Sequence, residues 1–436
     1  MEAQKSDTVS LVAHLRDVFQ DLHRTPYPHV PNPPRCKRRA AVALIVRVRP
    51  QHQHQAQSLA VLDKQSPIPQ QLDRFFSQEW VQHGDPEVLF IKRASRVGDR
   101  WTGHVALPGG KRDPEDVDDK ATALRETREE IGLDLNKEEA IHVGNLPERV
   151  VTSTWGSVPL MVLCPYIWVL TSDKTPTLNL QPTEVASAHW ISLRVLLSSS
   201  LRTAEYADVS DRFVKPAGMI GRLAVRWTIG MMEFSAIRLI PTESLYCSSV
   251  PGFVPDAQSE QSQSLVRRWQ SWLLKDQAGS GDLRRSLLLW GLTLGIMTDF
   301  LDMLPPYNAV KLWKHPTFTI PDLRLIVRLM TYNIRKRNEQ RLVRHQRRPS
   351  DTAADSSTVA VPVTEGASQV HELNAVGIGG LGVGRYYGTP STGHHADGLL
   401  LKAYYDRLRQ AIAVFLAWRV AAGAVGSYYL WRWLRS

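Results

Sequence analysis

Three glutamates fix the chemistry that this chain is equipped to carry. Glu126, Glu129 and Glu130 stand at i, i+3 and i+4, a spacing that puts their carboxylates on one face of a helix. Like charges that close repel, and the arrangement makes sense if a cation sits among them. Several oxygen ligands on a rigid helix suit Mg²⁺ or Mn²⁺, hard ions that usually complete their shell with water and substrate phosphate. The cluster therefore points to phosphate chemistry. A solvated, ion-paired helix face is the competing reading. Against it stand Pro108-Gly109-Gly110 before the acids and Ile131-Gly132-Leu133 after them.

The flanking residues are those needed to hold such a helix. Asp116, Asp118 and Asp119 supply N-cap oxygens and early negative charge, which suit the positive end of the helix dipole. Ala121, Ala123, Leu124 and Ile131 give an apolar side, and Gly132 is a left-handed stop. Val105 to Leu107 reads as a short strand entering the Pro-Gly-Gly turn. Gly109 and Gly110 let the backbone approach the carboxylate face, so a main-chain carbonyl there joins the candidate metal shell of Glu126, Glu129 and Glu130.

Leu107 to Leu133 resembles the Nudix box, G-x5-E-x7-R-E-U-x-E-E-x-G-U with U apolar. Counted back from Arg125, the first glutamate of that pattern falls on Val117 and its glycine on Lys111, so the box here is expanded by one residue. This expanded form is similar to the coenzyme A pyrophosphatase branch of the family. Leu89 to Ser95, then Arg96, Arg100 and Gly103, resemble the extra motif of that branch, with Leu107 where it has phenylalanine. The resemblance implies an α/β fold, an α/β/α sandwich with a mixed sheet. It implies a Mg²⁺- or Mn²⁺-dependent diphosphatase for a nucleoside-diphosphate-linked small molecule, with coenzyme A or its derivatives favoured. Coenzyme A would yield phosphopantetheine and adenosine 3′,5′-bisphosphate. On this reading Arg125 orients the carboxylates, Glu126, Glu129 and Glu130 hold metal, and Glu129 is the candidate base. Glu148, Glu184 and Asp208 are alternative bases from outside the box, each more simply a surface acid. Arg93, Arg96, Arg100, Lys111 and Arg112 are candidate ligands for substrate phosphates. His104 and His189 read as structural.

Composition sets the frame. The chain has 436 residues, 43% hydrophobic and 22% charged, as a globular protein does, with a net charge of +10. Cys36, Cys164 and Cys247 form neither a disulfide framework nor a metal-ligand spacing, which suits an intracellular, reducing compartment. Residues 1–37 read as a helix followed by a proline-rich connector. Residues 38–305 read as the catalytic domain, with strands expected at Arg39–Val48, Val88–Lys92, Ala140–Pro147, Val158–Leu170, Glu184–Ile191 and Met232–Ile240. A short helix is expected at Leu193–Leu197. Insertions are expected at 51–71, which is glutamine-rich, and at 243–281, which is loop-rich with one Trp-bearing helix. Leu289-Trp290-Gly291-Leu292-Thr293 resembles a segment that closes the domain in coenzyme A-type relatives.

The last third carries no enzyme signature. Residues 306–348 form a basic amphipathic segment, Leu323 to Ile334 running into Arg335, Lys336, Arg337, Arg341, Arg344, Arg347 and Arg348. Such a segment suits an anionic membrane or nucleic acid, or is a solvated face. The cluster lacks aromatic interleaving, which weighs against base stacking. Residues 349–400 read as a disordered linker. Within 401–436, Ala411 to Trp431 has 21 residues, enough to cross a bilayer. Arg419 near its middle costs roughly 2.5–3.5 kcal/mol on insertion scales, so a helix docked on the catalytic domain competes with a membrane anchor. A tethered nucleotide-binding module without turnover and an RNA-cap or RNA-binding protein are the alternatives to hydrolysis.

Overall fold

The apolar run after Lys37 folds as the central strand β1 (Arg39–Arg49), buried along nearly its whole length. The computed structural model describes residues 2–34, 36–51, 65–94, 103–137, 139–153, 158–208, 225–247, 287–309, 312–346 and 396–435. Leu44, Val46 and Val48 of β1 enter one core cluster, while Ala41, Ala43 and Ile45 enter another. That period-two division explains why the strand is apolar at consecutive positions, since both of its faces are covered.

β2 (Asp85–Arg93), β3 (Val105–Ala106), β4 (Gly109–Lys111), β5 (Ala140–Asn145), β6 (Arg149–Ser153), β7 (Val158–Leu170), β8 (Val185–Ser192) and β11 (Pro241–Tyr246) join β1 in one mixed sheet. Its path is β11-β8-β2-β1-β7-β5, with β3 on β2, β4 on β1 and β6 on β7. β1 and β7 are parallel, Arg39 opposite Val162 through Val46 opposite Val169. The neighbouring pairs are antiparallel. On one face pack α1 (Glu2–Arg24), α2 (Ile68–Phe76), α3 (Glu79–Gln82) and α6 (Gly291–Leu301). On the other lies α4 (Asp119–Ile131). The result is the α/β/α sandwich with a mixed sheet that the resemblance implies.

The N-terminal helix belongs to this core. Leu11, Val12, Leu15, Phe19 and Leu22 are buried, and the Phe19 ring lies 6.0 Å from Phe76 and 6.3 Å from Phe300. After β8 come α5 (Leu193–Leu197) and then β9 (Arg202–Ala207), which pairs with β10 (Met232–Arg238). β12 (Leu288–Trp290) and β13 (Thr317–Phe318) complete a second, four-stranded sheet. Sequence periodicity marks only β10 of this sheet, whose strands pair across long insertions. Strand β11 also replaces the loop expected to begin at residue 243, because it pairs with β8 from Pro241 to Tyr246. The glutamine-rich stretch 52–64 and the expected Trp-bearing helix lie outside the described residues.

A buried ion network ties the connector, the sheet and α4 together. Arg39 donates to Asp119 Oδ2 at 2.7 Å, Glu148 Oε2 at 2.8 Å, the Val30 carbonyl at 2.9 Å and Asn32 at 2.9 Å. Glu148 also accepts from the Val30 N–H and contacts His29. Glu148 is thus 4% exposed and structural, not the surface acid its sequence position suggests. Arg39→Ala strips two buried carboxylates of their cation, which costs about 3–5 kcal/mol. The expected result is a large fall in melting temperature, read by circular dichroism, with no change of fold in the fraction that remains native.

The C-terminal region forms two antiparallel helices, α7 (Pro321–Gln346) and α8 (Ala396–Arg435). Arg419 pairs with Asp322 at 2.9 Å, while Tyr404 sits beside Arg335 at the other end. Tyr404, Leu408, Ala411, Ile412 and Phe415 are buried with Leu323, Val327, Met232 and Phe318. Docking of α8 on the domain therefore holds for its first half, and the expected span beginning at Ala411 starts inside a protein core. Of the expected linker 349–400, residues 396–400 are helical and the rest lie outside the described residues.

Candidate active site

α4 is bounded by the residues that its sequence nominates. Asp118 is the N-cap, accepting from the Ala121 N–H at 2.6 Å, and Gly132 ends the helix at φ 73°. Only glycine adopts that backbone without strain, and a side chain there would also strike Asn179. The last turn of α4 is then bound by the loop before β8. Asn179 N–H donates to the Ile131 carbonyl at 2.8 Å, and Gln181 N–H to the Glu130 carbonyl at 2.9 Å. Ala94, just past β2, donates to the Glu184 carbonyl at 2.8 Å. Glu184 is thereby fixed between the end of β2 and the end of α4.

These contacts bring Glu126, Glu130 and Glu184 together, one carboxylate oxygen of each lying within 4.8 Å of the others. Glu130 is 2% exposed. It accepts from the Gly109 N–H at 2.9 Å, and the Arg93 guanidinium approaches it at 3.8 Å. Burial, reinforced by Glu126 and Glu184, pushes Glu130 up to about 8, against the pull of the Gly109 N–H and Arg93. Burial likewise raises Glu126. Glu126 and Glu130 so placed are destabilised as anions until a cation joins them.

The glycine turn is built around these carboxylates. Gly109 and Gly110 sit in β4, paired with Val42 and Ala41 of β1. At Gly109, φ is 147° and a Cβ would come within 2.3 Å of the Ala41 carbonyl oxygen. At Gly110, a Cβ would fall 2.4 Å from the Glu126 carboxylate. Position 109 therefore requires glycine, while a side chain at Gly110 would displace the Glu126 carboxylate.

Arg125 acts as the clamp of the box. It forks onto Asp116 at 3.0 and 2.9 Å, reaches Glu126 at 3.2 Å and Glu129 at 2.9 Å, and donates to the Lys111 carbonyl at 3.1 Å. Hydrogen bonds from Arg125 hold Asp116 well below the usual carboxylate range. The acid expected at Val117 is thus supplied by Asp116, and Val117 itself points outward at 88% exposure. An expansion by one residue moves the acid one place along the chain, and the loop compensates.

Other assignments shift with the geometry. Glu129, assigned to metal and to the base role, bonds Arg125 with its side chain 55% exposed, while the carboxylates that converge are those of Glu126, Glu130 and Glu184. Arg112, assigned to substrate phosphate, instead donates to the Asp116 and Val117 carbonyls and to Asp119, bracing the loop before α4. Lys111 is exposed at the end of β4, and Arg93 faces the trio. Arg96 and Arg100 lie outside the described residues. Asp208 contacts Arg226 at 3.5 Å. His104 packs 4.7 Å from Trp290, and buried His189 lies between Ser187 and Ser244, so both are structural as expected. Glu184, offered by the sequence only as one of three alternative acids, joins Glu126 and Glu130 because the pairing of β8 with β2 brings it to α4.

Comparison with known proteins fits this geometry. The family model for the NUDIX domain matches residues 80–213. The uncharacterised protein C14C4.10c of Schizosaccharomyces pombe is 35% identical over 257 residues, covering 58% of this chain and 68% of that protein. The mitochondrial coenzyme A diphosphatase NUDT8 of Mus musculus is 53% identical over 55 residues, 13% of this chain and 26% of that one. The peroxisomal coenzyme A diphosphatase NUDT7 of Mus musculus is 48% identical over 54 residues, 12% and 22% of the two chains. These two matches thus span about a quarter of each diphosphatase.

Proposed function

Because the chain belongs to the Nudix family of hydrolases, we propose that it cleaves the diphosphate bond of coenzyme A or its derivatives with Mg²⁺ or Mn²⁺. The observation that carries the hydrolytic reading is the convergence of Glu126, Glu130 and Glu184 beside a glycine turn. The donor set fits a hard divalent cation, being all oxygen, partly buried and otherwise self-repelling. Glu126 and Glu130 would hold it, with the main chain at Gly109 and Gly110 alongside. Such an ion, when bound, neutralises charge on the two phosphates and activates water.

The chain's own residues do the rest. Glu184 enters from outside the helix, opposite Glu126 and Glu130, and accepts the proton of the attacking water. It takes the base role first given to Glu129. Arg125 holds the Glu126 carboxylate in place through a charge-assisted hydrogen bond. Arg93 and exposed Lys111 bind substrate phosphate oxygens, Arg93 from the wall next to Glu130. Support for coenzyme A as the substrate comes from the expanded box at 107–133 and the short matches to coenzyme A diphosphatases. Cys36, Cys164 and Cys247 are buried thiols outside any disulfide, which suits an intracellular reducing compartment.

The test is hydrolysis by the full chain, with Mg²⁺ or Mn²⁺, of coenzyme A, acyl-coenzyme A, NADH, ADP-ribose, nucleotide sugars and capped RNA. Glu130→Gln runs in parallel. Coenzyme A cleavage that needs metal and vanishes in the variant is the expected result. Cleavage of another diphosphate keeps the mechanism and replaces the substrate. Metal binding without turnover of any of them would make the protein a nucleotide-binding module.

A further inference from the structure

The second half of α8 is apolar on every side and exposed among the described residues. From Leu416 to Arg435 each residue is exposed, including Trp418, Val420, Val425, Tyr428, Tyr429, Leu430, Trp431, Trp433 and Leu434. Between Arg419 and Arg432 the sequence is VAAGAVGSYYLW, without a charge. At 100° per residue these side chains occupy all azimuths of the helix, so no groove on one side covers them. A helix hydrophobic all round needs an environment that surrounds it.

The geometry points to a lipid bilayer as that environment, with Val420–Trp431 embedded in it. The Arg419–Asp322 pair marks where α8 leaves the domain. Beyond it the helix runs past Pro321, away from Arg335–Arg337 at the other end of the hairpin. The stem of α8 stays docked through Tyr404, Leu408 and Phe415, so the part that enters the membrane is the stretch beyond Arg419. Arg419 at one end and Arg432 and Arg435 at the other reach the phosphates, while Tyr428, Tyr429, Trp431 and Trp433 sit at interfacial depth. From Arg407 to Ser436 the chain has arginines and no Asp or Glu, which favours anionic lipid.

Flotation of the full chain with phosphatidylcholine vesicles, with and without phosphatidylserine, tests the inference. The wild type should float, more so with phosphatidylserine. The double variant Val420→Asp, Val425→Asp should float at least tenfold less. Its melting curve and hydrolysis of the preferred diphosphate should match the wild type, since Val420 and Val425 are both exposed. Equal flotation of variant and wild type would overturn the inference and move membrane contact to another surface, such as basic α7. A wild type that stays with the soluble fraction, or that forms oligomers abolished by the aspartates without floating, would overturn it in favour of a second copy covering the helix.

Discussion

Glu184→Gln is expected to lower kcat by about 10²–10⁴, the range of a lost general base, while leaving divalent-metal affinity close to wild type. Glu130→Gln should instead lose metal binding and turnover together. A metal ion supplies several kcal/mol of charge stabilisation and each ~1.4 kcal/mol is tenfold in rate, so a loss of roughly a thousandfold or more is expected. Glu129→Gln should stay within about tenfold, because its carboxylate is half exposed and engaged with Arg125. Steady-state kinetics paired with calorimetric Mn²⁺ titration separate the three variants. A severe loss in Glu129→Gln with a mild one in Glu184→Gln would return the base to the helix. Loss of metal affinity in Glu184→Gln would make it a ligand.

Stripped of divalent cations, the protein should lose stability as pH rises from about 4.5 towards 8. Glu130 has a carboxyl group raised from 4.5 to about 8 in the folded chain, mainly by burial. Between those values the native state holds a proton that the unfolded chain has released, so deprotonation favours unfolding. Below 4.5 both states are protonated and the stabilisation is fully present; it is lost as pH passes the folded value. At ~1.4 kcal/mol per unit the effect is of order a few kcal/mol. The groups facing Glu130 are Glu126, Glu184, Arg93 and the Gly109 N–H. Mg²⁺ or Mn²⁺ should reverse the loss, with an increment in melting temperature that grows from pH 5 to pH 8. Glu130→Gln should flatten the profile measured with chelator and raise stability at pH 8. A chelated wild type whose melting temperature is level from pH 5 to pH 8 would show that Glu130 ionises without cost.

The sequence by itself determined whatever depends on neighbours along the chain. The extent of α4 follows from its caps, Asp118 and Gly132, and the Pro-Gly-Gly turn follows from the absence of side chains at Gly109 and Gly110. β1 is legible because burial on both faces writes a continuous apolar run. The pairing of Glu126 with Glu130 is one helical turn of spacing. Only the tertiary structure decided which acids share a pocket. Glu184 joins them because β8 pairs with β2 and the preceding loop caps α4, contacts between residues far apart in sequence. Glu148, equally acidic and equally isolated in the sequence, is consumed by Arg39 in the interior. Arg112 and Glu129 sit in the box, yet Arg112 braces the loop before α4 and half-exposed Glu129 is engaged by Arg125. The apolar stretch at the C-terminus reads as one span. Packing against α7 divides it at Arg419, because the same side chains are stabilised as well by a protein core as by lipid.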